Sequence, residues 1–194
     1  FTHPAADHVL LWDIRNADQL GPLLPALPDD LRPRAEAVIA RFRDHTAPAL
    51  ARLPRQVYHG DFNPHNLLAD PALPDRLSGI LDFGDMTQSY RICDLAVAGS
   101  YLIAPADLLV PLVTGYHAIT PLVPDEIAIL PDLLAARMVT TLAISAWRAA
   151  RYPQNASYIL RNAPASRAGL AALETLHSNR LADQLQTACE RQDA

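Results

Sequence analysis

His59-Gly60-Asp61-Phe62-Asn63-Pro64-His65-Asn66 is followed, after a short apolar interval, by Leu81-Asp82-Phe83-Gly84-Asp85. Both stretches are built from Gly, Pro, Asn and Asp, the residues that close turns. Strand-like runs flank them: Gln56-Val57-Tyr58, Asn66-Leu67-Leu68 and Leu77 to Leu81. A small β region presenting polar side chains at its loop ends is therefore expected in the middle of the chain.

Outward from that centre the pattern is helical. Upstream, Asp29 and Asp30 are placed to cap a helix whose apolar positions Ala35, Val38, Ile39 and Phe42 recur at helical spacing, with Pro48 expected to bend or end it. The segment before it reads as irregular. Downstream, helices are expected over 94–103, 107–119, 131–151 and 164–176, several opening on proline. The fold class is α+β and mainly α-helical, a single domain over residues 1–194 with a short β insert.

The first loop has the H-x-D-x-x-x-x-N spacing of a kinase catalytic loop, and the second carries the Asp-Phe-Gly of a kinase metal turn, in the right order. Phosphoryl transfer needs a carboxylate to take the acceptor hydroxyl's proton and oxygen ligands to hold Mg2+ against the nucleotide phosphates. Asp61 fits the first task, Asn66 and Asp82 the second, because magnesium takes a few hard oxygens and fills its shell with water and phosphate. His59 is expected to brace the loop by hydrogen bonds. Asp85 is assigned either to the metal's surroundings or to capping the turn after Gly84. Plain turn residues are the competing reading for all three acidic and amide groups.

With Gly60 between His59 and Asp61, the stretch from Tyr58 to Asn66 resembles the aminoglycoside phosphotransferase-like small-molecule kinases, which include homoserine, choline and hydroxylysine kinases. Gly79 to Met86, Phe1-Thr2-His3-Pro4 and Trp12-Asp13 look most like the hydroxylysine-kinase branch. The resemblance implies the helical C-terminal lobe of a protein kinase-like fold, ATP or GTP as donor, and a small hydroxylated amine or amino acid as acceptor. It also implies that Asp94 ties the catalytic loop to the following helix. A fused pyridoxal-phosphate aminotransferase is a neighbour known in that branch.

Such kinases also need a nucleotide-covering loop and a phosphate-binding Lys. All 16 cations here are arginine, and the 7 glycines are scattered without a G-x-G-x-x-G run. An N-terminal lobe missing from this chain is expected, in keeping with a start at Phe1, and the chain alone is expected to transfer little phosphoryl. Apolar surface near the cleft, normally covered by that lobe, is expected to be exposed.

The remaining composition narrows the partners. A net charge of −5 argues against nucleic acid. The longest charge-free run, Leu108 to Pro124, is broken by prolines and too short for a membrane span. Cys93 and Cys189 stand far apart without metal-site spacing, which fits a reducing cytoplasm. Along 131–151, Arg137, Thr141 and Arg148 fall on one helical face. They either pair with acids such as Asp94 or Asp132, or reach solvent, or hold an acceptor carboxylate by bidentate hydrogen bonds. A small-molecule kinase is the leading function. A catalytically silent kinase-like module is the alternative, and antibiotic phosphorylation fits less well because few acids are available for a polycation.

Overall fold

The computed structural model describes residues 3–104, 108–176 and 178–192. Phe1-Thr2 and Asp107, named above, lie outside the described residues. A 3-10 helical stretch (Ile14–Ala26) precedes α1 (Arg32–Arg41), a π-helical turn (Phe42–Thr46) and α2 (Ala47–Leu50). Then come β1 (Arg55–Tyr58), β2 (Leu67–Asp70), β3 (Leu73–Ile80) and β4 (Thr87–Tyr90). Helices α3 (Arg91–Ser100), α4 (Leu109–Ile119), α5 (Pro124–Arg151), α6 (Ala156–Ile159), α7 (Ala163–Leu176) and α8 (Ser178–Glu190) complete the chain.

The four strands are nested. β1 pairs antiparallel with β4, from Arg55↔Tyr90 to Tyr58↔Thr87, while β2 pairs antiparallel with β3, starting at Leu67↔Ile80. The two motif loops are the gaps between the outer and inner pairs, so closing both pairs forces them side by side. Sequence reasoning placed the loops on either side of strands but missed β4, because Thr87-Gln88-Ser89-Tyr90 has no apolar alternation.

The core gathers around α5. Leu130, Leu133, Leu134, Val139 and Ala143 are wholly buried, and α1, α3, α7 and α8 pack against this helix. Burying each Leu contributes about 1.5–3 kcal/mol. α5 is the one described helix long and apolar enough to cross a membrane, and most of its apolar window is packed inside the protein. It begins at Pro124 rather than Pro131. Either proline suits a first helical turn, and Glu126 decides between them: its carboxylate accepts from the Val123 N–H at 3.0 Å and closes the start of the helix.

Three local expectations are corrected. Asp29 and Asp30 do not cap α1: Asp29 pairs with Arg32 at 2.9 Å and Asp30 with Arg167, while Leu31 occupies the cap without a side-chain bond. The opening is not irregular but 3-10 helical, with Asp13 accepting from the Arg15 N–H at its start. Phe83, whose apolar ring in the sequence suggests an anchor of the second loop in the core, is 56 % exposed, together with Leu68, Leu73, Leu77, Ile80 and Leu81 in and beside the β2–β3 hairpin. That hairpin packs little against the helices, so its leucines have nothing to bury against.

Candidate active site

The catalytic-loop stretch is fixed from several sides. His59, 8 % exposed, reaches across to the second loop, its Nε2 lying 2.9 Å from the Leu81 carbonyl oxygen, while its Nδ1 accepts from the Asp61 N–H at 3.2 Å. A carbonyl only accepts and an amide N–H only donates, so Nε2 carries the proton and Nδ1 the lone pair. The imidazole thereby spends both nitrogens on the backbone of the two loops. The Leu81 N–H donates to the Asn66 carbonyl at 2.8 Å, which stitches the ends of the two loops together.

Gly60 sits at φ +81°, a left-handed conformation that favours glycine. Its N–H donates to Asp94 Oδ1 at 3.0 Å, so the first turn of α3 holds the loop. Burial pushes the Asp94 carboxyl above the usual aspartate range, against the pull of the Gly60 and His59 backbone donors.

Asp61 and Asn66 meet directly. The Asn66 Nδ2 donates to the Asp61 carbonyl oxygen at 2.9 Å and to its Oδ2 at 3.1 Å. Both partners are acceptors, so the amide nitrogen must face Asp61, and Asn66 Oδ1 is the atom left to face a cation. Asn63 shapes the turn between them by accepting from the His65 N–H and donating to the Asp61 carbonyl. His65 itself is exposed.

Asp82 is exposed and left-handed, at φ 60° and ψ 70°. Asp85 closes the 3-10 turn Phe83–Asp85 and stands half-buried in the wall of a cavity of about 570 Å3. Burial, then the negative charge of Asp61, raise its carboxyl above the ordinary range, and Asp82 adds to this. Among the described residues no three His, Cys, Asp or Glu side chains cluster closely enough to hold a metal by themselves. The donor set of one amide oxygen and one carboxylate fits magnesium, which needs few protein ligands when phosphates supply the rest.

The same cavity brings Asp61 and Asp85 together with Arg137, Thr141, Ser145 and Arg148 of α5. The helical face read from sequence is thus the cavity wall. Arg137 does not pair with Asp94 or Asp132, the partners considered from sequence. Asp132 is taken by Arg41 at 2.7 Å, and Arg137 Nη2 lies 3.4 Å from Asp61 Oδ1. Thr141 donates its hydroxyl to the Arg137 carbonyl at 3.1 Å, and Arg148 is exposed.

Comparison with known proteins agrees with the loops. Residues 1–130 match the family model described as "Phosphotransferase enzyme family". The chain belongs to that family. It is 29% identical over 175 residues to hydroxylysine kinase of Bos taurus, covering 82% of this chain and 46% of the relative. It is 32% identical over 154 residues to hydroxylysine kinase of Danio rerio, covering 76% of this chain and 42% of the relative. Homoserine kinase of Sinorhizobium fredii is 32% identical over 114 residues, which are 54% of this chain and 32% of that protein. This phosphotransferase-family chain therefore spans less than half the length of the hydroxylysine kinases it matches. No solved structure matches it.

Sequence reasoning missed the rest of the cavity. Trp12, Tyr101, Tyr152, Tyr158 and Arg161 of the phosphotransferase-family chain line it. They arrive from the N-terminal stretch, the end of α3 and the α6 region. The one available signal was the density of Arg and Tyr between 148 and 161.

Proposed function

We propose that this chain forms the acceptor-side part of a small-molecule kinase that moves the γ-phosphoryl group of ATP or GTP to a hydroxyl of a small amino acid or amino alcohol. The observation that carries this reading is the double placement of Asp61. Its carboxylate is held by Asn66 in the catalytic loop and also faces the cavity in which an acceptor would sit.

Asp61 orients the hydroxyl and takes its proton as the oxygen attacks phosphorus. Asn66 Oδ1 and the Asp82 carboxylate would hold Mg2+, which would neutralise charge on the nucleotide phosphates. Thr141 and Arg148, on the same wall, face the remainder of the acceptor, and Arg148 supplies a fork for a carboxylate. The lack of lysine and of a glycine-rich phosphate loop in these 194 residues supports a reading in which the nucleotide-covering groups come from a separate lobe. The exposed apolar hairpin around Leu73, Leu77 and Phe83 is the surface such a kinase-like N-terminal lobe would cover. A reducing cytoplasm belongs to the same reading, supported by the buried thiol of Cys93, which stands in no disulfide.

The test is nucleotide consumption by the complete protein against a panel of hydroxylated amino acids and amino alcohols, in wild type and Asp61→Asn. Turnover with at least one acceptor, reduced about a hundredfold or more in the variant, is expected. Acceptor binding without nucleotide consumption would favour a silent module, and unchanged turnover in Asp61→Asn would remove Asp61 from the chemistry.

A further inference from the structure

Arg137 is 4 % exposed, which is uncommon for a cation without a close partner. Its guanidinium bridges three parts of the chain. Nη2 lies 3.4 Å from Asp61 Oδ1, and Nη1 donates to the Trp12 carbonyl at 3.4 Å. The group also stands over the Trp12 ring, 5.7 Å from its centroid, and Nε is buried without a hydrogen-bond partner.

The Trp12 end is itself anchored. The neighbouring Asp13 Oδ1 accepts from the Tyr58 hydroxyl at 3.1 Å, the Ser89 hydroxyl at 3.0 Å and the Arg15 N–H at 3.0 Å. Its Oδ2 pairs with Arg15 Nε at 2.8 Å. Residues 12 and 13 are thereby pinned to β1 and β4, so the Trp12 carbonyl and ring form a fixed seat for the guanidinium.

On this geometry, and resting on the reading of Asp61 as the base, we propose that Arg137 is a positioning residue for Asp61 rather than a ligand of the acceptor. The Asp61 carboxylate is gripped from both oxygens: Oδ2 by Asn66 of its own loop, Oδ1 by Arg137 of α5. Two holds on two oxygens fix the plane of the carboxylate, which one hold leaves free to rotate. At 3.4 Å the Arg137 contact is longer than the 2.7–2.9 Å of a tight charge-assisted bond, so it steers the carboxylate while leaving Oδ1 open to an acceptor proton. Both Nη groups being engaged, carboxylate recognition falls to the exposed Arg148.

The experiment is steady-state kinetics of the complete protein with Arg137→Ala and Arg137→Lys, with thermal unfolding to confirm that each is folded. Arg137→Ala is expected to lower kcat about a hundredfold while acceptor KM stays within about twofold, because a misplaced base costs turnover rather than binding. Arg137→Lys is expected to recover part of the loss, and millimolar ethylguanidinium, entering through the cavity, to restore turnover to Arg137→Ala. A tenfold or greater rise in acceptor KM with kcat retained would overturn the proposal in favour of acceptor binding. A loss of kcat relieved by neither lysine nor guanidinium would overturn it in favour of a purely structural role. Full turnover in Asp61→Asn would instead sink the underlying assignment of the base.

Discussion

The backbone of Gly60 runs so close to Asp85 that a Cβ on the glycine would overlap the Asp85 carbonyl oxygen and come within 3.2 Å of its carbonyl carbon. The two motif loops touch through this missing side chain. Gly60→Ala must therefore push the loops apart while holding a positive φ that L residues avoid, at a cost of about 1–3 kcal/mol. A lowered Tm together with reduced turnover is expected. A variant as stable and as active as wild type would show that the loops do not depend on this contact.

Asn66 gives a sharper test of the carboxylate's orientation. Asn66→Asp keeps an oxygen for a cation but removes both N–H donors and sets a second carboxylate against Asp61. Turnover of the complete protein should fall about a hundredfold, as for other misplaced reacting groups. Asn66→Ala should do no better, and turnover near the wild-type rate in the Asp variant would count against the amide's role in holding Asp61.

Asp13 anchors the N-terminal stretch through its bonds to Tyr58, Ser89 and Arg15. Burial pushes the Tyr58 hydroxyl well above its usual range, so it remains a proton donor. Asp13→Ala leaves two buried hydroxyls without their acceptor and Arg15 with the longer ion pair to Asp7 at 3.9 Å, and about 1–3 kcal/mol of stability should be lost in denaturant unfolding. A loss under 1 kcal/mol would mean that residues 12 and 13 are held by other contacts.

The raised carboxyl of Asp94 makes a pH-dependent prediction. In the folded protein the proton is held more tightly than in the unfolded chain, so stability from this group is present below the ordinary aspartate range, near pH 4, and is lost as pH climbs through the raised value. Asp94→Asn keeps an oxygen for the Gly60 N–H and removes that titration. The variant should gain stability relative to wild type as unfolding is measured at successively higher pH. A difference that stays flat from acid to neutral pH would contradict the assignment.

The sequence by itself determined the two motif loops and the polar stripe of the long helix. Relative placements within one loop follow from short spacings, as between His59, Asp61 and Asn66, and a helical face follows from the turn of the backbone, as for Arg137, Thr141 and Arg148. Such relationships are local, and local geometry is nearly the same in every protein. What Arg137 faces is of another kind. Periodicity marks a buried face without saying what buries it, so the meeting of residues 12, 61 and 137 was decided by the packing of α5 against the N-terminal stretch and the nested strands. The cavity wall from Tyr101 to Arg161 is tertiary for the same reason: its residues belong to separate elements, and only the closed core brings them to one surface.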